Sequence, residues 1–216
     1  MLMPGKKGLG FAVGIEKLPS FFASRGCEIL ASDLPAEDER NKVWAETGQW
    51  APSLDALNQY GLCSVSKFNE LVKFRPIDMN TIPSDVTGFD FTWSTCSFEH
   101  CGSLELGLKF LERQLDCLVP GGIAVHTTEF NLSSNSKTLT NGTCVIYRLK
   151  DIENIISKIV AMGHHVEPLD LDPGDHELDK FVDGKPYSSE PHLRLDLKHF
   201  AATSIALIIR KSASAN

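Results

Sequence analysis

The sequence predicts an α/β domain with a mostly parallel sheet and helices on both faces. Three observations carry that prediction. Strand-like and helix-like segments alternate along all 216 residues. A glycine-rich turn, "GLGFAVG" at residues 8–14, stands close to the start. An acid, Asp33, closes the second strand-like segment. No internal repeat or low-complexity tract interrupts the alternation, so residues 1–216 read as one domain. The turn comes so early that a domain excised from a longer polypeptide is expected.

Taken in order, residues 8–13 read as the first strand and residues 17–24 as a helix, with Leu18, Phe21 and Phe22 on one face. Gly26 stops that helix, and residues 28–32 form the second strand. A long polar connection covers 34–73 and holds a helix in "SVSKFNELVKF". "KFRPIDM" is expected as the third strand and "FDFTWS" as the fourth. "SLELGLKFLERQLDCL" places Leu104, Leu108, Leu111, Leu115 and Leu118 at helical spacing, and "PGG" is expected to break that helix before the strand "IAVHTTEF". "KDIENIISKIVAMG" reads as a helix, "HHVEPLDL" as a strand and "ATSIALIIRK" as the last strand.

Composition narrows the function. Lys plus Arg is 21 against 28 for Asp plus Glu, a net charge of −7. That argues against a nucleic-acid partner, whose phosphates reward clustered cations. No apolar run is long enough to span a bilayer. The six cysteines form no CxxC pair, which argues against a structural zinc site and for a reduced, cytoplasmic protein.

Open parallel sheets bind ligands beyond the carboxyl ends of their strands, and the first turn must let backbone approach the ligand. Gly8, Gly10 and Gly14 meet that need, and Asp33 follows Gly14 by nineteen residues, the spacing of a ribose-binding acid. Taken alone, the glycines also fit a strained turn at a sheet edge. The spacing is not GxGxxG, and Glu16 at the helix start repels a pyrophosphate while attracting a cationic ligand.

With these segments in order, the chain resembles class I S-adenosylmethionine-dependent methyltransferases. "GLGFAVG" is similar to their first motif and "ILASDL" to the segment ending in the ribose acid. "FRPIDMNTIP", "FDFTWSTCSFEH" and "LVPGGIAVHTTEF" are similar to the third-, fourth- and fifth-strand segments. The likeness runs from Gly8 to Arg210. It implies a Rossmann-like, mostly parallel seven-stranded sheet and S-adenosyl-L-methionine as donor, with S-adenosyl-L-homocysteine as product. It further implies donor contacts from Gly8, Gly10, Phe11, Gly14, Asp33, Leu34, Asp78, Met79, Ser94 and Thr95, with Asp78 on the adenine amino group and Met79 on the ring. The pattern departs from the family where Lys6 and Lys7 replace an expected acid. "HTTEFNLSSN" and the closing "EPHLRLDLKHFAATSIALIIRK" resemble methyltransferase domains of polysaccharide loci or of fusions with glycosyltransferases. That narrower likeness implies a sugar hydroxyl as acceptor.

A hydroxyl acceptor calls for a general base near pH 7. His100 and His126 are the candidates, with Glu129 in support; a capping role for His100 and a buried packing role for His126 are the alternatives. Trp50, Thr128, Asn131, Tyr187, His192 and Arg194 are the expected acceptor contacts. A divalent cation is the rival means of activating the hydroxyl. Glu99, Glu129, Asp172 and Asp175 are the carboxylates at hand, yet no fixed spacing joins them, so no metal ligand is assigned. Three other functions stay open: a small-molecule N- or O-methyltransferase, a nicotinamide-dependent oxidoreductase, and an inactive cofactor-binding module.

Overall fold

The computed structural model describes residues 3–51, 53–172, 174–188 and 193–213. Strand β1 (Lys7–Gly10) leads to helix α1 (Leu18–Ser24), with Pro19 in its first turn, and then to β2 (Glu28–Ala31). Helices α2 (Asn41–Glu46) and α3 (Val65–Leu71) precede β3 (Val72–Phe74). Strand β4 (Phe89–Ser94) leads through a short 3-10 turn to α4 (Leu104–Arg113) and on to β5 (Leu118–Asn131). Helix α5 (Leu149–Ala161), β6 (His165–Val166), α6 (Glu177–Lys180), β7 (Val182–Asp183), β8 (Arg194–Leu197) and β9 (Phe200–Arg210) complete the chain.

The sheet order is β3-β2-β1-β4-β5-β9-β8-β7, with β6 also paired to β9. Strands β1 to β5 are parallel, whereas β9 runs antiparallel to β5. This is the expected mostly parallel Rossmann-like sheet, extended by two short strands at one edge. Strand order reverses direction at β1, which has β2 on one side and β4 on the other. That is where an open α/β sheet leaves a crevice at its carboxyl ends.

Several boundaries differ from the expectation. The third strand spans three residues, and "PIDM" runs on as loop. The long leucine-rich helix ends at Arg113, and a 3-10 turn over Gln114–Cys117 finishes it before the "PGG" segment. Those glycines lie within β5: Leu118 pairs Phe89, Ile123 pairs Phe91, and the residues between loop out. Only His165 and Val166 of "HHVEPLDL" are strand.

Two apolar cores sandwich the sheet. One joins Leu9, Phe11, Phe98, Phe110, Leu111 and Tyr147 to Ile152, Ile155 and Ile159 of α5. These isoleucines recur at i, i+3 and i+7, the buried stripe of an amphipathic helix. The other joins Ala23, Ile29, Leu57, Phe68, Val72 and Trp93. Helix α4 starts on Ser103, whose hydroxyl accepts from the Leu106 N–H. At Gly107 a Cβ would overlap the Tyr147 hydroxyl and the Phe98 carbonyl, so only glycine lets α4 seat this closely.

Gly8 and Gly10 have a packing role that the sequence did not show. Gly8 pairs across the sheet with Phe91, and Gly10 with Trp93. Those two rings stack at 5.8 Å and 26°. A Cβ on either glycine would collide with its partner ring. The glycines thus make room for aromatic side chains on β4. Neither is among the described residues that line the large cavity below.

Candidate functional site

A cavity of about 1240 Å³ opens at the carboxyl ends of β1, β2 and β4. The turn after β1 forms its floor. Ala12 and Gly14 both adopt left-handed backbone there (φ 48° and 50°). At Gly14 a Cβ would also collide with the Gln49 carbonyl oxygen, so glycine is required twice over.

Asp33 sits at the centre of this floor, buried to 7% exposure. Its Oδ2 accepts the Gly14 N–H at 2.9 Å and its Oδ1 accepts the Leu34 N–H at 2.8 Å. Burial pushes its carboxyl up, and the two backbone donors pull it down. The acid therefore holds the first turn in shape while presenting its remaining lone pairs. Leu34 lines the wall beside it.

Glu16 faces the same space. It accepts from the Trp93 indole N–H and from the Thr95 hydroxyl, both at 2.6 Å. Burial pushes it up to about 7, with the nearby Asp33 charge adding to the rise. Its charge at neutral pH therefore depends on what occupies the cavity.

Asp78 and Met79 form the opposite wall with Ile77. Asp78 Oδ1 accepts the Asn80 N–H at 2.8 Å, and Oδ2 accepts from Arg40 at 2.7 Å. Arg40 also pairs with Asp38 at 2.6 Å, which ties the long connection after β2 to the segment after β3. Trp44, Gln49 and Tyr60 from that connection also line the cavity. Thr95 and Ser97 line the side formed by the end of β4.

His100 faces the cavity from the 3-10 turn after β4, with Thr143 and Cys144 nearby. Its Nδ1 lies 2.5 Å from the Thr143 carbonyl. A carbonyl can only accept, so Nδ1 carries the proton and Nε2 of the neutral ring keeps its lone pair. The ring also meets Trp44 edge-on at 4.4 Å. Burial lowers its affinity for a second proton.

The remaining expected residues fall elsewhere. Phe11 is fully buried, edge-on to Phe110 at 5.0 Å. Ser94 is buried and lies 2.8 Å from Nδ1 of His126. His126 has no exposed surface, its Nε2 has no partner among the described residues, and burial alone drives it down to about 3. It is a buried residue of β5, its ring packed edge-on against Phe98 and Phe110 and not among the described residues lining the cavity, so His100 is the candidate base that the cavity presents. Thr128 is buried and donates to Glu99 at 2.9 Å. Asn131 organises its own loop, accepting from the Ser133 and Ser134 N–H groups and donating to the Lys137 carbonyl. Tyr187 donates to the Asp196 carbonyl at 3.1 Å, and Arg194 starts β8 opposite Val182. Trp50, Tyr187 and Arg194 are not among the described residues lining the cavity. His192 lies outside the described residues. Glu129 borders a second cavity of about 200 Å³ with Thr203 and Ser204.

Arg40 and Thr143 were not singled out in the sequence. Each lies on a long connection that folds back over the site, and no periodic pattern marks such contacts.

No protein-family model matches the chain, and no curated protein matches it. Solved structures do match. A candidate sarcosine dimethylglycine methyltransferase from Galdieria sulphuraria superposes with a TM-score of 0.61 at 14% identity, over 99% of this chain and 81% of its own. The DhpI–SAH complex gives 0.55 at 12% identity over 97% and 78%. The magnesium protoporphyrin IX methyltransferase of Synechocystis PCC 6803, with bound SAH, gives 0.55 at 10% identity over 97% and 75%. At these identities the likeness defines the fold: the chain has the Rossmann-like architecture of solved methyltransferases. Among the described residues, no helix is long and apolar enough to cross a membrane.

Proposed function

We propose that this chain is an S-adenosyl-L-methionine-dependent O-methyltransferase acting on a sugar hydroxyl of a glycan. The observation that carries the reading is one cavity that joins the Gly14–Asp33 cradle to a histidine with a fixed tautomer. Its volume of about 1240 Å³ exceeds the roughly 300–1,000 Å³ of a single small-ligand pocket, leaving space for both a donor and an acceptor.

The residues present fit the donor. Asp33 would hold the ribose hydroxyls, Asp78 the adenine amino group and Met79 the ring face. Glu16 lies on the same floor and complements positive charge. The donor would supply a methyl group already activated by a sulfonium. His100 would accept the acceptor hydroxyl's proton at Nε2, while its Nδ1–H stays on Thr143. Trp44 and Tyr60 offer apolar faces suited to a sugar ring, with the Thr143 segment as a polar wall. A hydroxyl acceptor is favoured over an amine because a positioned neutral base serves the hydroxyl. The reading keeps residues 1–216 as one domain, working with or fused to a glycosyltransferase. A reducing, cytoplasmic setting is supported by the six free cysteines.

The test is incubation with labelled donor and a panel of mono- and oligosaccharides, read by mass spectrometry. A gain of one methylene on a sugar is expected. Calorimetry should show S-adenosylhomocysteine binding and no NAD binding. NAD binding alone would replace this reading with the oxidoreductase, and donor binding without any transfer would replace it with the inactive module.

Glu16 makes the donor site pH-dependent in a stated direction. A cationic donor favours the ionised carboxylate, so binding below about pH 7 must first expel a proton. S-Adenosylmethionine affinity should therefore rise from pH 6 to pH 8 by up to about tenfold per unit below that value. Glu16→Gln should flatten the profile in calorimetric titrations.

A further inference from the structure

Beside the cavity, three side chains converge from separate segments. Cys96 follows β4 with a left-handed backbone (φ 45°) that turns its side chain out of the strand path. Its N–H donates to the Thr127 hydroxyl at 2.9 Å, and its Sγ lies 3.2 Å from the Ser204 hydroxyl. Glu99 stands in the 3-10 turn and has no exposed surface. One of its carboxyl oxygens accepts from Thr128, while Oε1, also buried, has no partner among the described residues. Glu129 comes from β5. One ligand atom from each of the three lies within 4.8 Å of the others.

A buried carboxyl oxygen without a partner is costly, and native structures tend to leave such atoms only where something else completes them. An acidic cluster alone says little, but this one includes a thiol and a fully buried carboxyl, near the Glu99 and Glu129 N–H groups, one of whose oxygens has no side-chain or backbone partner among the described residues. We propose that Cys96, Glu99 and Glu129 form a binding site for a zinc-class divalent cation. The donor set is one sulfur and two carboxylates. Thiolate ligation selects borderline-soft metals such as Zn²⁺ over Mg²⁺ or Ca²⁺, which take oxygen ligands only. Zinc bonds of about 2.0–2.3 Å place tetrahedral ligands about 3.5 Å apart. The present spacing of up to 4.8 Å therefore needs a modest contraction. Glu129 can supply it, since it is half-buried and borders the smaller cavity. Cys96 lines the large cavity and Glu129 the smaller one, so the cluster borders both. Three protein ligands leave one tetrahedral position for water.

The test uses the full chain, reduced and stripped with chelator, then titrated with ZnCl₂ against a chromophoric competitor and separately with CoCl₂. One equivalent of zinc should bind, and cobalt should give a thiolate charge-transfer band. Cys96→Ser should abolish that band, and Glu99→Gln and Glu129→Gln should each weaken zinc binding at least tenfold. Cys144→Ser should leave the stoichiometry and the band unchanged. Absence of stoichiometric zinc on the unaltered chain would overturn the proposal, as would a cobalt band that survives Cys96→Ser. Should Cys96→Ser or Glu99→Gln fail to fold, Glu129→Gln still decides it, because unweakened binding there is equally fatal. None of these readouts depends on methyl transfer, so failure here leaves the proposed function standing.

Discussion

Asp33→Ala should weaken S-adenosylhomocysteine binding by about 100-fold or more. The carboxylate is nearly inaccessible and already holds two backbone N–H groups, from Gly14 and Leu34. Hydrogen bonds to a charged group are each worth about 1.5–3 kcal/mol. Losing two on the ligand, even at the low end, costs about 3 kcal/mol, or two decades in affinity. Removal also frees the Gly14 turn, so the loss should exceed that of a ligand contact alone. Calorimetry reads the affinity, and a thermal melt separates slackened binding from unfolding. An affinity within threefold of the unaltered chain would show that the acid serves the turn and not the donor.

His100→Ala should lower kcat by about 10²–10⁴ while leaving S-adenosylhomocysteine affinity within twofold. The range is that of a positioned general base. The ring is set by its bond to the Thr143 carbonyl and by Trp44 at 4.4 Å, so its Nε2 is presented in one orientation. Both constants are measured on the sugar that the panel identifies. Undiminished turnover would remove His100 from the chemistry. Because His126 is fully buried within β5 and does not line the cavity, it offers no substitute base.

The long elements were legible because each carries its own period. Residues 150–163 repeat isoleucine at helical spacing, and "FDFTWS" coincides with β4. The Gly14–Asp33 contact was legible for a related reason: a left-handed glycine and an acid at a strand end are local events with a fixed separation. The residues expected to meet an acceptor were not placed by any such pattern. Asn131, Thr128 and Tyr187 resemble exposed polar side chains in the sequence, yet each is spent on a neighbour inside the protein. Likewise His126 reads like His100 until burial separates them. The role of Gly8 and Gly10 was hidden too, since their partners Phe91 and Trp93 are eighty residues away and meet them only through strand pairing.

That pairing has a mechanical consequence. The Trp93 indole rests against Gly10 on one side and reaches through its N–H to Glu16 on the other. Position 10 thus communicates with the cavity wall without touching any ligand. Enlarging the residue there would tilt the indole and drag the carboxylate with it. An engineer enlarging position 10 would have to shrink position 93 with it, and so would alter the indole that holds Glu16.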